Sequence, residues 1–161
     1  MKFILILCAS VTLTSCSCIS HLVGGHDKQF LQIYYHCGVT LIDTFHGIYR
    51  KDLVPGSATT TMWFTTREQE ILLTNLERFR FFSLPDTLYA TPNVHMEPNP
   101  GEQILRVKCG NREKTVVWYS PIDPKYKGAS YYIGHIMDLL IEIIVSKPEY
   151  KVLPTTKGGY S

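Results

Sequence analysis

The sequence predicts an α+β fold in two layers: a mainly antiparallel sheet of four or five strands, with two helices on one face. Short segments alternate apolar and polar residues, which is typical of half-buried strands. Two longer segments repeat apolar residues every three or four positions, which is typical of amphipathic helices. Hydrophobic residues make up 45% of the chain and charged residues 19%, as in ordinary globular domains.

Three extended segments are predicted before the first helix: 30–37, 39–43, which residues 48–51 can extend, and 60–65. In the first of them, Leu31, Ile33 and Tyr35 share one side, while polar residues occupy the other. The last is rich in β-branched and aromatic residues, which favour strands. These segments account for the first half of the sheet.

Helices are predicted at 67–80 and 129–146. Thr66, with Gln69 three residues later, has the spacing of a capping box that begins the first helix. The second helix has one continuous apolar face, formed by Ile133, Ile136, Met137, Leu140, Ile143 and Ile144. Its other face carries polar residues, among them Asp138, which argues against a membrane span.

Residues 103–119 predict a β-hairpin around a two-residue turn at Gly110-Asn111. The register that this turn imposes pairs Lys108 with Glu113, Arg106 with Thr115 and Leu105 with Val116. Cys109 and Trp118 then point toward the core, and Tyr119 points toward solvent.

The N-terminal residues predict export. Lys2 precedes an apolar run over 3–9, which fits a secretory signal peptide and is too short to span a membrane. The run Leu13-Thr14-Ser15-Cys16 resembles the lipobox of bacterial lipoproteins, in which the invariant Cys is lipidated. This resemblance makes Cys16 the first mature residue, with diacylglycerol and palmitate attached. The expected organisation is a signal peptide at 1–15, a lipidated tether at 16–28, one α+β domain at 29–146 and a polar tail at 147–161.

The helix starting at Thr-x-x-Gln, the run Arg80-Phe81-Phe82-Ser83-Leu84-Pro85-Asp86, the hairpin and the closing helix resemble a family of small bacterial lipoproteins, like those of Bacteroidota, whose domain has no known function. The resemblance covers most of 30–146 and implies one α+β domain but no activity. The chain departs from the family at Cys37-Gly38, where Asp is common in place of Cys. Residues 17–20 also lack the acidic residues that follow the lipidated Cys in surface-exported lipoproteins, which favours the periplasmic face of the outer membrane.

Charge and motifs limit the function classes. The chain has 16 basic and 14 acidic residues, so no strong positive field attracts nucleic acid. Neither Gly-x-Ser-x-Gly nor His-Glu-x-x-His occurs. The sequence therefore predicts no catalytic residue, no cofactor and no metal ligand. The leading hypothesis is a binding or structural module of the cell envelope, with a lipid anchor and an unidentified envelope partner.

Tyr119 and Tyr126 are the predicted partner-binding residues. Together with Tyr131 and Tyr132 they surround the turn at 121–128, and exposed tyrosine is favoured in recognition surfaces. The alternative is that Tyr131 and Tyr132 only cover the start of the last helix.

The alternative function is a small envelope enzyme or metal-handling domain that uses the His95 loop. His95, Glu97 and Glu102 lie in or beside the Pro-rich connection at 86–101, and such side chains can bind a divalent ion if the loop brings them together. Their spacing dictates no common site, so solvated loop side chains are the simpler interpretation.

Cys37 and Cys109 are the candidate disulfide pair. Cys8 leaves with the signal peptide and Cys16 takes lipid, so Cys18, Cys37 and Cys109 remain and at most one intramolecular bridge forms. Cys37 and Cys109 both lie on the predicted buried faces of their strands, which is compatible with a bridge. The alternative is two separate buried thiols.

Overall fold

A computed structural model of the chain describes residues 30–53, 56–94, 96–97 and 99–156. The strands are β1 Leu31–Cys37, β2 Thr40–Asp43, β3 Ile48–Asp52, β4 Ser57–Thr61, β5 Thr87–Leu88, β6 Glu102–Cys109 and β7 Arg112–Tyr119. They form one sheet in the order β4-β3-β2-β1-β6-β7-β5, antiparallel throughout except where β5 runs parallel to β7. The α+β class is confirmed, with seven strands rather than four or five.

The helices are α1 Thr66–Arg78, α2 Lys127–Ser146 and α3 Pro148–Lys151, with 3₁₀ turns at Phe81–Ser83 and Pro124–Tyr126. The capping box of α1 begins one residue before the predicted position. The Thr65 hydroxyl accepts from the Glu68 N–H at 3.3 Å, and the Glu68 carboxylate accepts from the Thr65 N–H at 2.7 Å.

Gln69 is fully buried instead of capping α1. Its Oε1 accepts from the N–H groups of Phe30 and Leu31 at 3.0 and 3.1 Å, and its Nε2 donates to the Phe64 carbonyl at 3.0 Å. Because every polar group of this side chain has a partner, its burial is compensated. Through these hydrogen bonds, Gln69 connects the start of β1 to the start of α1.

One face of the sheet and the buried faces of α1 and α2 enclose a single core. The predicted hairpin register between β6 and β7 is confirmed, including Lys108 opposite Glu113 and Leu105 opposite Val116. The predicted buried face of the last helix is also confirmed: Ile133, Ile136, Met137, Leu140, Ile143 and Ile144 are all buried. By length and composition, Pro124–Ser146 could also cross a membrane. A buried core helix passes the same test, and here that face packs into the domain.

The domain continues past the predicted boundary at residue 146. The Lys147 side chain is buried and lies 2.7 Å from the Glu68 carboxylate, which joins the end of α2 to the start of α1. The Tyr150 ring lies 5.9 Å from that of Tyr49, and Leu153 packs against the core. The predicted domain boundary at residue 146 was wrong. The residues after it show only a Pro and short polar runs in the sequence, and they pack against residues that are distant in the sequence.

Candidate functional site

Three aromatic side chains form a surface patch at the end of β7, which we call the tyrosine patch: the exposed Tyr89 and the half-buried Tyr119 and Tyr126. Lys125 connects two of them, because its ammonium nitrogen lies 5.9 Å from the Tyr89 ring centre and 4.9 Å from that of Tyr126. The main chain is fixed by a hydrogen bond of 2.9 Å from the Asp123 N–H to the Tyr89 carbonyl. The patch therefore combines aromatic rings, hydroxyl groups and one cation on a fixed backbone.

Tyr119 points to the face of the sheet opposite Trp118, as the hairpin register predicts. Its hydroxyl donates to the Glu102 carboxylate at 2.6 Å. Glu102 raises the pKa of Tyr119 because it accepts this bond from the protonated phenol, and slight burial and the nearby Tyr89 add to the rise. The Tyr119 ring is thus oriented before any partner binds.

The predicted binding role of Tyr126 stays a prediction, and the ring also has a structural role. It is half-buried and packs against the core at the start of α2, so it supports the domain as well as the patch. Tyr89 takes the exposed position instead, with 58% of its surface accessible. The sequence around Tyr89 shows no pattern that indicates an exposed position in the patch. Tyr89 lies there because β5, the strand before it, pairs with β7, which is distant in the sequence.

Tyr131 and Tyr132 belong to a second surface between α1 and α2, which supports the interpretation that they cover the start of α2. The Phe79 ring stacks on His135 at 5.3 Å, and Tyr131 meets His135 edge-on at 4.3 Å. A groove of about 320 Å³ lies beside these rings, with polar walls formed by Asn75, Arg78, His135, Asp138 and Glu142. Tyr132 is half-buried at this surface, whereas Tyr131 stays exposed.

Asp43 and His46 form a pair that the sequence analysis missed. The buried Asp43 carboxylate accepts from the N–H groups of Phe45 and His46 at 2.9 and 3.2 Å, and its other oxygen lies 2.7 Å from His46 Nδ1. Such a pair can orient a general base. Within the described part of the chain, however, no Ser, Thr or Cys side chain hydrogen-bonds to His46. The Asp43 carboxylate has a structural explanation instead, because it stabilises the turn between β2 and β3.

The predicted disulfide between Cys37 and Cys109 is wrong. Cys109 pairs with Leu31 across β1 and β6, six residues before Cys37, a separation of roughly 20 Å at ~3.4 Å per residue. A disulfide needs Cα atoms within about 7 Å. Cys37 is a free thiol, with its sulfur 3.9 Å from the Pro100 carbonyl oxygen. Cys109 is disulfide-bonded, so the alternative of two free buried thiols is wrong as well.

Two predicted sites lie wholly or partly outside the described residues. Cys16 and His95 are outside them. Glu97 is exposed, and Glu102 accepts the hydrogen bond from Tyr119. Among the residues that the structure describes, no group of three or more His, Cys, Asp or Glu is arranged to hold a metal ion.

Comparison of the chain with models of protein families gave no match, and comparison with curated proteins gave none either.

Proposed function

We propose that this chain is a periplasm-facing lipoprotein, anchored in the outer membrane through Cys16, whose domain binds a protein or another component of the cell envelope. The observation that carries the binding role is the tyrosine patch. Tyrosine is enriched in interfaces because its ring offers apolar area and its hydroxyl offers a hydrogen bond, at little cost in conformational entropy.

The patch is ordered without a partner. Glu102 orients Tyr119, and the Asp123 N–H fixes the backbone of Tyr89. The backbone of Lys125 is also fixed, because its main-chain N–H donates to the Asp123 carboxylate at 2.9 Å. A preordered surface loses less entropy on binding than a mobile one. The patch is therefore suited to recognition by side chains.

The anchor is tested by Cys16→Ala. Without the thiol no diacylglycerol can be attached, so this variant should incorporate no fatty-acid analogue in cells. Cys37→Ala is the matched control, because it removes a free thiol outside the lipobox and should label like the wild type. Equal labelling of Cys16→Ala and the wild type would refute the anchor.

The binding surface is tested by Tyr89→Ala combined with Tyr119→Ala in the full chain. Loss of interface aromatics commonly costs about 2 kcal/mol in affinity, so the envelope components that crosslink to the wild type should be lost. The melting temperature should change little, because exposed substitutions usually alter stability by about 0.5 kcal/mol and the lost hydrogen bond adds about 1 kcal/mol. Tyr126 is left in place because it supports the core.

Tyr131→Ala is the matched control, since Tyr131 is 59% exposed and Tyr89 is 58% exposed. It should retain the crosslinked components. Retention by the double variant and loss by Tyr131→Ala would move the binding surface to the groove between α1 and α2.

A further inference from the structure

The strand β4 forms one edge of the sheet, and half of its backbone groups point away from β3. Two hydrogen bonds of 3.0 Å define the alternation: the Met62 N–H donates to the Gly47 carbonyl, and the Leu53 N–H donates to the Gly56 carbonyl. In an antiparallel ladder, successive residues point alternately toward the partner strand and away from it. The outward N–H and C=O groups therefore belong to Ser57, Thr59 and Thr61.

These outward groups have no hydrogen-bond partner among the residues that the structure describes. Natural proteins usually protect such an edge with Lys, Pro or a bulge. The β4 sequence, Ser-Ala-Thr-Thr-Thr, contains no charge and no Pro, and its pairing with β3 is regular over all five residues. Within the described part of the chain, the edge is therefore open to another strand.

Two exposed apolar side chains, Trp63 and Ile48, continue this edge on the side of the sheet that carries Thr59 and Thr61. The Trp63 ring lies directly over Gly47, where an added Cβ would overlap it. Gly47 also has a positive φ of 68°, which glycine adopts without strain. Trp63 is thus fixed beside the edge and adds apolar surface to it.

We propose that β4 pairs in antiparallel fashion with β4 of a second copy of this chain, about a two-fold axis at Thr59. Thr59 is the middle one of the three outward residues, so this register places it opposite its own counterpart and places Ser57 opposite Thr61 of the partner subunit. Every outward N–H and C=O of both strands then forms a hydrogen bond. The two sheets become continuous, and the symmetry closes at two copies.

The side chains are compatible with this register. Thr59 meets the partner's Thr59 and Ala58 meets the partner's Thr60, so the facing residues are small and uncharged. Threonine pairs are favourable across antiparallel strands, whereas like charges at these positions would be unfavourable. A strand without charge avoids the like-charge repulsion that a charged residue at Thr59 would create in this register.

The dimer is expected to be reversible. A five-residue contact is smaller than the interfaces of about 1,200–2,000 Å² that stabilise most specific complexes. Attachment of many copies to one membrane would raise their effective concentration. The pairing uses no residue of the tyrosine patch. The vesicle measurement below rests on the lipid anchor of the proposed function, whereas sedimentation in detergent does not, so failure of the pairing and failure of the proposed function can be told apart.

Charge-swap variants of the full chain test the register. Thr59 lies opposite Arg50 within the same chain. Thr59→Glu should therefore fold normally, because its carboxylate faces Arg50, but it places two carboxylates opposite each other in the dimer. Thr59→Lys places two ammonium groups there, and its melting temperature is compared with that of Thr115→Lys because Lys at either position also faces an arginine of its own chain, Arg50 or Arg106. The matched control is Thr115→Glu, because Thr115 also lies opposite an arginine, Arg106, but on β7, near the other edge of the sheet from β4.

The readout is energy transfer between donor-labelled and acceptor-labelled copies reconstituted in lipid vesicles, with sedimentation in detergent as a second measurement. The wild type and Thr115→Glu should show transfer that rises with surface density. Thr59→Glu alone and Thr59→Lys alone should lose at least tenfold in association, and an equal mixture of the two should restore it. Wild-type copies that stay monomeric at all densities, single variants that associate normally, or a mixture that is not restored would each overturn the proposal.

Discussion

The two edges of the sheet differ in what they leave exposed. At the β5 edge, the chain that follows is bound to the end of β7 and to residues beyond it, through hydrogen bonds from the Thr91 N–H to the Pro121 carbonyl at 2.8 Å and from the Asp123 N–H to the Tyr89 carbonyl at 2.9 Å. At the β4 edge, the outward groups of Ser57, Thr59 and Thr61 lack such partners within the described part of the chain. The β5 edge therefore offers side chains to a partner, and the β4 edge offers backbone.

The edges also differ in how far they enter the core. Leu88 of β5 is 0% exposed and lies opposite Trp118. The inward residues of β4, Ala58 and Thr60, are small and only half-buried. The β4 edge, which offers backbone groups for pairing, thus buries little apolar surface. The β5 edge, which offers tyrosine side chains, is part of the core.

Leu88→Ala and Thr60→Ala test this difference, and the first should have the largest effect. Truncating a fully buried Leu costs about 2–5 kcal/mol because it leaves a cavity. Thr60→Ala should cost less than about 1 kcal/mol, since it removes a half-buried methyl group and hydroxyl. Urea unfolding of both variants at neutral pH measures the two costs. Equal losses would show that both edges support the core to the same degree.

The parts of the fold that could be predicted depend on local signals. The turn at Gly110-Asn111 determined the hairpin register, and that register placed Tyr119 on the outer face. The apolar face of α2 was identified by its spacing, and Leu140 in its centre is fully buried. These features follow from residues that are close in sequence, so the pattern was sufficient.

Features that depend on distant residues could not be predicted. A two-residue strand such as β5 has no room for alternation, and its parallel pairing with β7 joins residues about 30 positions apart. Tyr89 was missed for the same reason. The capping box was misplaced because Thr65 and Thr66 are each followed by a suitable residue three positions later.

The burial of Gln69 had a signal that could have been used. It precedes Leu72, Leu73 and Leu76 by three, four and seven residues, which places it on the buried stripe of α1. A polar residue at such a position must find buried partners. Those partners, the backbone groups of Phe30, Leu31 and Phe64, are set by tertiary packing and could not be named from the sequence.

Alkaline pH provides a finer test of the core beside β4, because this part of the core contains an ionisable ring. Tyr49 of β3 is buried, and burial raises its pKa to about 12, with Tyr150 adding to the rise. In the unfolded chain its pKa is the ordinary value of 10.0. Below that value Tyr49 is protonated in both states, so its contribution to stability is fully present.

As the pH rises from about 10 toward about 12, the unfolded chain releases the Tyr49 proton first, so stability falls. The loss from this residue should reach about 1 kcal/mol near pH ~11, given 1.36 kcal/mol per pKa unit. Tyr49→Phe keeps the contact between the ring and Tyr150 but cannot ionise, so its urea midpoint should fall less steeply above pH ~10 than that of the wild type. Tyr131→Phe, at an exposed ring, is the control and should follow the wild type. Parallel alkaline slopes for the wild type and Tyr49→Phe would mean that the core beside β4 does not keep Tyr49 protonated.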